Sequence, residues 1–408
     1  MTTVELNTIQ VLALSGFGVA IGHFFKRFIP ILESLNIPAS VVGGLFYSLL
    51  ILALRDRVVN FEMELTIRSL LMVAFFTTVG MGASLKLLKV GGKLMLYFFA
   101  IATAGILVQN GAGIALCQMF GLSPLIGIVT GSVALTGGPA TALAFGPTFE
   151  EWGVPDATVL GVASAMAGIV AGGLIGGYVG GGLIKKNNIQ PPKEAVKVDE
   201  RLEKGLAEFE GSGQIPTNDS ILMNGIVIAV AMGLGTIVSR GITEGAAASG
   251  IQLILPEYIG AMLAAALIRN LDDVFGWLRI SQDQVDELGN LALNVFIVMA
   301  LLTLELWKLF DLALPILVVI FVQLILVFLM AKYLIFPAMG RDYDAAVASG
   351  GFCGFMLGTT ANALSSMEVL TTKYGSAPRA LIIVSITGAF LIDFTNAAVV
   401  TAVANWLK

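Results

Sequence analysis

The sequence predicts an all-α membrane protein, with ten transmembrane helices in two inverted five-helix repeats and a re-entrant hairpin in each. Three observations lead there. The 408 residues are 57% hydrophobic and 12% charged, about half the charge of a soluble globular protein. The apolar stretches run to roughly 20 residues, the length at which a helix crosses a hydrocarbon core, and lack the alternation of barrel strands. Two Gly-rich polar interruptions, 131–142 and 350–363, lie 219 residues apart, each preceded by four apolar spans and followed by one more.

Taken in order, the spans fall at 8–28, 38–54, 66–85, 94–119 and 157–183, then 219–239, 251–269, 287–307, 312–336 and 378–405. Segments 121–149 and 342–372 are apolar but too broken for straight helices, and read as hairpins that enter and leave on one side. In lipid every backbone N–H and C=O needs a partner, so a broken helix survives only where protein or a polar cavity surrounds it. A pair of such breaks at matching places in two halves points to the binding site of a secondary transporter.

Charge placement orients the chain. With the N-terminus outside, the inner loops collect 17 of the 23 Lys and Arg residues, and the outer side keeps six. That bias follows the positive-inside rule, provided each hairpin returns to its own side. The expected organisation is an N-terminal repeat (1–184, hairpin dipping in from outside), a cytoplasmic linker (185–218) and a C-terminal repeat (219–408, hairpin entering from the cytoplasm). Both termini are then outside. Met1–Gln10 lacks a basic n-region, so the first span reads as retained. The linker opens on Pro191-Pro192 and mixes charges with apolar residues at loosely helical spacing, as a surface segment would.

Other classes are excluded by composition. No basic stripe interleaved with aromatic residues marks a nucleic-acid surface. One histidine, His23, and two scattered cysteines, Cys117 and Cys353, supply no transition-metal cluster; the thiols read as buried packing and His23 as interfacial. No grouping of residues suggests an enzyme.

The candidate chemistry sits at the breaks and in the last span. Asp393 falls mid-span, where an acid costs about 2.5–3.5 kcal/mol to insert; a bound Na⁺, a substrate ammonium or a structural donor would offset that. Asn396, three residues on, shares its helical face. The second hairpin offers Gly358, Thr359, Thr360, Asn362, Ser365 and Ser366, hydroxyls and an amide suited to a hard cation or a carboxylate. The first offers Ser132, Thr136, Gly137, Gly138 and Thr141, with Pro139 limiting helix continuation. Helices that begin after such breaks aim positive dipole ends at an anion. Gln109, Asn110 and Gln323 read as interhelical hydrogen-bonding residues, and Glu305 with Lys308 as an interfacial pair. Glu150, Glu151 and Asp156 read as solvated at the outer mouth of the first hairpin, and Glu368 as exposed or paired with Lys373.

The segment Phe75-Phe76-Thr77-Thr78-Val79-Gly80-Met81-Gly82-Ala83-Ser84-Leu85-Lys86 resembles the third-span signature of bacterial sodium/glutamate symporters. So do Leu135-Thr136-Gly137-Gly138 with Ala144-Phe145-Gly146-Pro147, the loop 350–367, and the ending Phe390-Leu391-Ile392-Asp393-Phe394-Thr395-Asn396. The loop signature of that family is Gly-Gly-x-Gly; Gly137-Gly138-Pro139-Ala140 carries Ala in the last place. The resemblance implies Na⁺-coupled uptake of L-glutamate, or of its D enantiomer, across a bacterial plasma (inner) membrane. It also implies a homodimer working by an elevator motion in the lipid bilayer. On that basis Thr136, Gly137, Gly138, Thr141, Gly358, Thr359, Thr360, Asn362 and Asp393 are expected to meet substrate. Thr359, Asn362, Asp393 and Asn396 are the expected Na⁺ ligands. The alternatives are a Na⁺-coupled di- or tricarboxylate symporter and, behind it, an ion channel.

Overall fold

The computed structural model describes residues 2–35, 37–55, 57–86, 92–190, 218–249, 255–304 and 313–407. The linker expected at 185–218 lies largely outside them, as does the Glu305–Lys308 pair.

The chain begins with a short strand, β1 (Thr2–Leu6), then α1 (Thr8–Phe28), α2 (Pro30–Ser34) and α3 (Ala39–Leu54). A second strand, β2 (Val59–Met63), pairs in parallel with β1, Val4 opposite Phe61. This ribbon is the one departure from helix among the described residues. Its strands are five residues each, too short to stand out against the long apolar spans that flank them. There follow α4 (Thr66–Gly82), α5 (Gly92–Met119), α6 (Pro124–Ile128, continued by a π turn at Val129–Val133), α7 (Gly138–Glu151) and α8 (Ala157–Lys186).

The second half repeats that order: α9 (Asn218–Ala248), α10 (Glu257–Phe275), α11 (Gln282–Leu302), and α12 (Ala313–Met330), which a π turn carries into Phe336–Ala338. A second broken pair, α13 (Tyr343–Met356) and α14 (Thr360–Tyr374), precedes α15 (Pro378–Ile386), a π turn at Thr387–Leu391, and α16 (Ile392–Leu407). Two expected spans are displaced. The span expected at 251–269 is the helix 257–275, and that expected at 287–307 is 282–302, because the polar last turns of the first (Arg269-Asn270-Leu271-Asp272-Asp273) and the polar first turn of the second (Gln282-Asp283-Gln284) are helical although hydropathy discards them.

Among the described residues six helices are long and apolar enough to cross a membrane: α1, α5, α8, α9, α11 and α12. With α3 and α4 shorter, at 16 and 17 residues, the all-helical character and the membrane setting are plain.

The breaks are locally encoded. Pro139 and Pro378 stand in the first turns of α7 and α15, where the missing N–H costs nothing. Asp342 caps α13 by accepting from the Ala345 N–H at 2.9 Å, and pairs with Arg379 at the start of α15, which also reaches Asp344 at 3.6 Å. Those ions clamp the base of the α13–α14 pair.

Small residues then set how closely helices approach. In lipid the attraction between helices is packing itself, and Gly lets backbones touch. On α8, Gly168, Gly172, Gly176 and Gly180 form a stripe against α13 and α14. A Cβ at Gly168 would lie 2.4 Å from the Leu357 carbonyl oxygen, and one at Gly176 would lie 2.4 Å from Ser366 Oγ and 2.7 Å from the Gly350 oxygen. In the same way Gly80 of α4 meets the backbone at Met262 of α10, and Gly289 of α11 meets Thr78.

The closest packing falls in two groups of helices. One comprises α1, α3, α4, α9, α10 and α11; the other comprises α5 to α8 and α12 to α16. In the second group Phe98 packs against Phe352 and Phe355, centroids 5.9 and 5.7 Å apart. The seam between the groups is narrower, with Tyr258 of α10 edge-on to Phe145 of α7 at 5.2 Å.

Gly176→Val should destabilise the protein by about 1–3 kcal/mol, the usual cost of overpacking, read as a lower melting temperature in detergent. Gly182→Val, where an added Cβ meets nothing within 4 Å, should melt as the parent does.

Candidate functional site

The two helix breaks meet. In the first, Gly131 leaves helical geometry (φ −88°, ψ −123°) inside the π turn, and the chain runs through Ala134–Gly137 before α7 starts at Gly138, whose φ of +67° suits glycine. In the second, Leu357 and Gly358 separate α13 from Thr359, an extended residue (φ −140°, ψ 167°) whose hydroxyl caps Asn362 N–H at 3.4 Å. A Cβ at Gly138 would lie 3.2 Å from the Gly358 oxygen and 3.3 Å from Thr359 Cγ2, so the bare glycine is what lets the breaks touch.

Side chains from intact helices supply the hydrogen bonds that the breaks forgo. Gln109 of α5 donates through Nε2 to the Met356 carbonyl at 2.7 Å and accepts from the Thr136 hydroxyl at 2.5 Å. One amide thus ties the end of α13 to the first break. Gln323 of α12 donates to the Gln109 carbonyl at 2.7 Å. Asn110 Oδ1 accepts from Ser132 N–H at 3.2 Å, and Asn396 Nδ2 donates to the Ser132 carbonyl at 3.1 Å. Asn362 Nδ2 donates to the Ile169 carbonyl at 2.8 Å, fixing α14 on α8. The expected interhelical bonding of Gln109, Asn110 and Gln323 is therefore present.

A cavity of about 430 Å³ opens where the breaks meet, at the seam between the two helix groups. Thr136, Gly137, Thr141, Gly358, Thr359, Thr360 and Asp393 line it. Gly138 lies under it, against Gly358. Asn362 and Asn396 do not line it: both are buried, each is turned to a backbone carbonyl, and each keeps an Oδ1 without a hydrogen-bond partner. Asp393 and Asn396 share a helix face in the sequence, yet α16 gives one to the cavity and the other to the first break.

Both α7 and α14 begin at the cavity. Ala140, Thr141, Thr360 and Ala361 of their first turns are in its wall, so N–H groups without intrahelical partners and two positive dipole ends face it. Asp393 lines the same cavity, next to the 387–391 π turn and half-buried, with no hydrogen bond or ion pair to any described residue.

Sequence reasoning missed α11. Asp286, Asn290 and Asn294 line the cavity at i, i+4 and i+8 on one face. Asp286 accepts from Gln282 Nε2 at 2.8 Å, and Asn294 Nδ2 donates to the Asn290 carbonyl at 2.8 Å. The polar stripe was legible at helical spacing, but a span begun at 287 leaves Asp286 in a loop. Ser40 and Thr78 complete the polar lining; Phe75, Phe76 and Phe355 supply aromatic walls. Among the described residues no Lys or Arg lines the cavity. Cys117 and Cys353 are buried free thiols, and Glu368 forms no ion pair with Lys373.

Paired helix breaks around a polar cavity inside an apolar helical protein define a membrane transport protein. The family model described as sodium/glutamate symporter matches residues 4–376, and the chain belongs to that family. It is 33% identical over 400 residues to the sodium/glutamate symporter of Escherichia coli (strain K12), covering 97% of each chain. With that of Haemophilus influenzae it shares 32% identity over 395 residues and 96% of each. These relatives are symporters, transport proteins rather than enzymes. Among solved structures, the sodium proton antiporter MjNhaP1 from Methanocaldococcus jannaschii aligns over 98% of both chains at 14% identity, with a TM-score of 0.45.

Gln109→Leu should destabilise the protein by about 1–2 kcal/mol, the scale of strong interhelical hydrogen bonds in membranes. Because it frees both breaks at once, substrate affinity should fall more than for Gln323→Leu. Thermal melts and half-saturation of uptake check this.

Proposed function

We propose that the protein is a secondary transporter coupling inward Na⁺ movement to glutamate uptake. The observation that carries this reading is the single cavity that two helix N-termini line together with Asp393. Glutamate bears two carboxylates and one ammonium. The free N–H groups and hydroxyls at the starts of α7 and α14 match the carboxylates. Asp393, with no partner of its own, matches the ammonium or a Na⁺. Asp286 brings a second acid, whose charge Arg269 offsets in part, and no Lys or Arg is among the described residues that line the cavity. A cavity of that charge disfavours a di- or tricarboxylate without an ammonium and favours entry with cations.

Na⁺ is cargo here, and oxygen donors suit it. Thr359 and Asp393 can offer oxygens from the cavity wall. Asn362 and Asn396 each hold an unpaired, buried Oδ1 behind it, a costly state that a hard cation would relieve. These four are the proposed Na⁺ ligands. The proposed substrate contacts are Thr136, Gly137, Thr141, Gly358, Thr359, Thr360 and Asp393, with Gly138 and Asn362 shaping the break behind them. Movement of one net charge through 100 mV would contribute about 2.3 kcal/mol to accumulation.

The remaining architecture is proposed with it: ten spans in two inverted repeats, termini outside, hairpins entering from opposite faces and a homodimer. The elevator motion is supported by the two helix groups. The broken pairs and the helices that follow them, α8 and α15–α16, belong to one group; α3 and α10, assigned to the dimer scaffold, belong to the other. Residues 1–184, 185–218 and 219–408 are the corresponding repeat, cytoplasmic linker and repeat.

Reconstituted protein should accumulate labelled glutamate only under an inward Na⁺ gradient, with weak competition by succinate and citrate. Uptake driven by H⁺ alone, or citrate competing as well as glutamate, would sink the assignment. Asp393→Asn separates the roles of that acid. A Na⁺ ligand predicts a rise of ten-fold or so in the Na⁺ needed for half-maximal uptake, on the order of 1.4 kcal/mol. An ammonium partner predicts weakened glutamate binding with Na⁺ dependence kept. Folded variant protein with both unchanged removes Asp393 from the site.

A further inference from the structure

A second cavity, of about 520 Å³, lies away from the breaks. It is bounded by the C-terminal half of α8, the last turns of α14 and the end of α12. Four lysines open on it: Lys185 and Lys186 in the last turn of α8, Lys332 in the π turn after α12, and Lys373 in the last turn of α14. Among the described residues no acid lines it and none of the four lysines forms an ion pair. Lys332 Nζ lies over the Tyr333 ring at 4.9 Å and Phe328 at 5.7 Å, and Lys373 Nζ over Tyr374 at 5.5 Å. The ammonium groups rest on aromatic faces instead of carboxylates. The C-termini of α8 and α14 together offset about one positive charge, which leaves the cavity strongly cationic.

The rest of the cavity is apolar. Gly177, Gly181 and Gly182 present bare backbone: an added Cβ at Gly177 or Gly181 would touch no atom closer than 3.7 Å, and one at Gly182 none within 4 Å. Tyr178, 75% exposed, and Val369, 58% exposed, border this slot with Phe328. Cationic groups at one end and a shallow apolar slot at the other match a molecule with an anionic head and a hydrocarbon tail. All four lysines are also among those that the charge bias assigns to the cytoplasmic face, where basic pockets between membrane helices take lipid headgroups.

We propose that this cavity binds the phosphodiester headgroup of an anionic phospholipid, with one acyl chain laid along the glycine slot of α8. The inference is independent of glutamate or Na⁺ recognition. Such a lipid would bridge α8, α12 and α14, three helices of the group that carries both breaks, on the face of α8 beside the Gly168–Gly180 stripe.

The test compares full-length detergent-purified protein with added dioleoyl phosphatidylglycerol, dioleoyl phosphatidylcholine or inorganic phosphate, reading melting temperature and bound lipid by native mass spectrometry. Phosphatidylglycerol should raise the melting temperature and be retained; phosphatidylcholine and phosphate should not. Replacing all four lysines by Gln should abolish the shift, with roughly five-fold loss of retention per lysine, and replacing all four by Arg should keep it. Lys185, Lys186 and Lys373 are exposed and Lys332 is half-buried, and the Arg protein controls for folding. An equal shift with phosphatidylcholine, or with phosphate alone, overturns the proposal. So does an unchanged shift in the Gln variant. The remaining occupant is residues 191–217, which carry six carboxylates. Carbodiimide cross-links from them to the four lysines, with no phosphatidylglycerol shift, would replace the lipid with the chain itself.

Discussion

Every feature of the centre of this molecule follows from one demand: backbone groups released by a broken helix must find partners where no water reaches. Gln109 meets most of that demand. Its side chain bonds the Met356 carbonyl on one side and the Thr136 hydroxyl on the other, and its own carbonyl takes the Gln323 amide. Asn110 and Asn396 repeat the solution at Ser132, and Asn362 ties α14 to the unbroken α8 at the Ile169 carbonyl. Amides suit this work because each offers a donor and an acceptor without a charge to desolvate. The network does not reach the N–H groups of Ala140, Thr360 and Ala361 at the starts of α7 and α14, while the Asn362 N–H is capped by the Thr359 hydroxyl. The groups behind the breaks are only partly satisfied, with Ser132 Oγ, Asn110 Nδ2, Asn362 Oδ1 and Asn396 Oδ1 left without hydrogen-bond partners.

The second constraint is distance. The network works only if helices approach to backbone contact, and glycine permits that along α8, at Gly80 and at Gly138. The stripe on α8 joins it to α13 and α14, while the seam towards α4, α10 and α11 depends more on aromatic and apolar faces such as Tyr258 against Phe145. A close-packed group set against a smoother one is the mechanical arrangement from which relative sliding is possible. The cavity lies on that seam, so its wall is shared: the breaks and Asp393 on one side, Thr78 and the Asp286–Asn294 stripe on the other.

Hydropathy and breaks were legible in the chain because they are one-dimensional. Twenty-residue apolar runs, Gly-Gly-Pro at 137–139 and Gly-Thr-Thr at 358–360 declare themselves without any knowledge of neighbours, and the helices at 8–28, 157–186 and 313–338 stand where those runs are. The family was legible for the same reason, since its signatures are contiguous. Boundaries were less so at the end of α10 and the start of α11, whose polar turns are held in helix by contacts with other helices.

What the sequence determined alone was therefore the class: an all-helical membrane protein with two matched interruptions, a lone acid at Asp393 and the residues of a symporter family. Only the tertiary structure decided which polar groups face one another. Asp393 and Asn396 are three residues apart, yet one reaches the cavity and the other the back of a break, because α16 is wedged between the two. Asp286 enters the site from a segment that hydropathy assigns to a loop. Rotation of a helix about its axis is set by the packing of its neighbours, which no local pattern encodes, and that rotation chooses between a ligand and a strut.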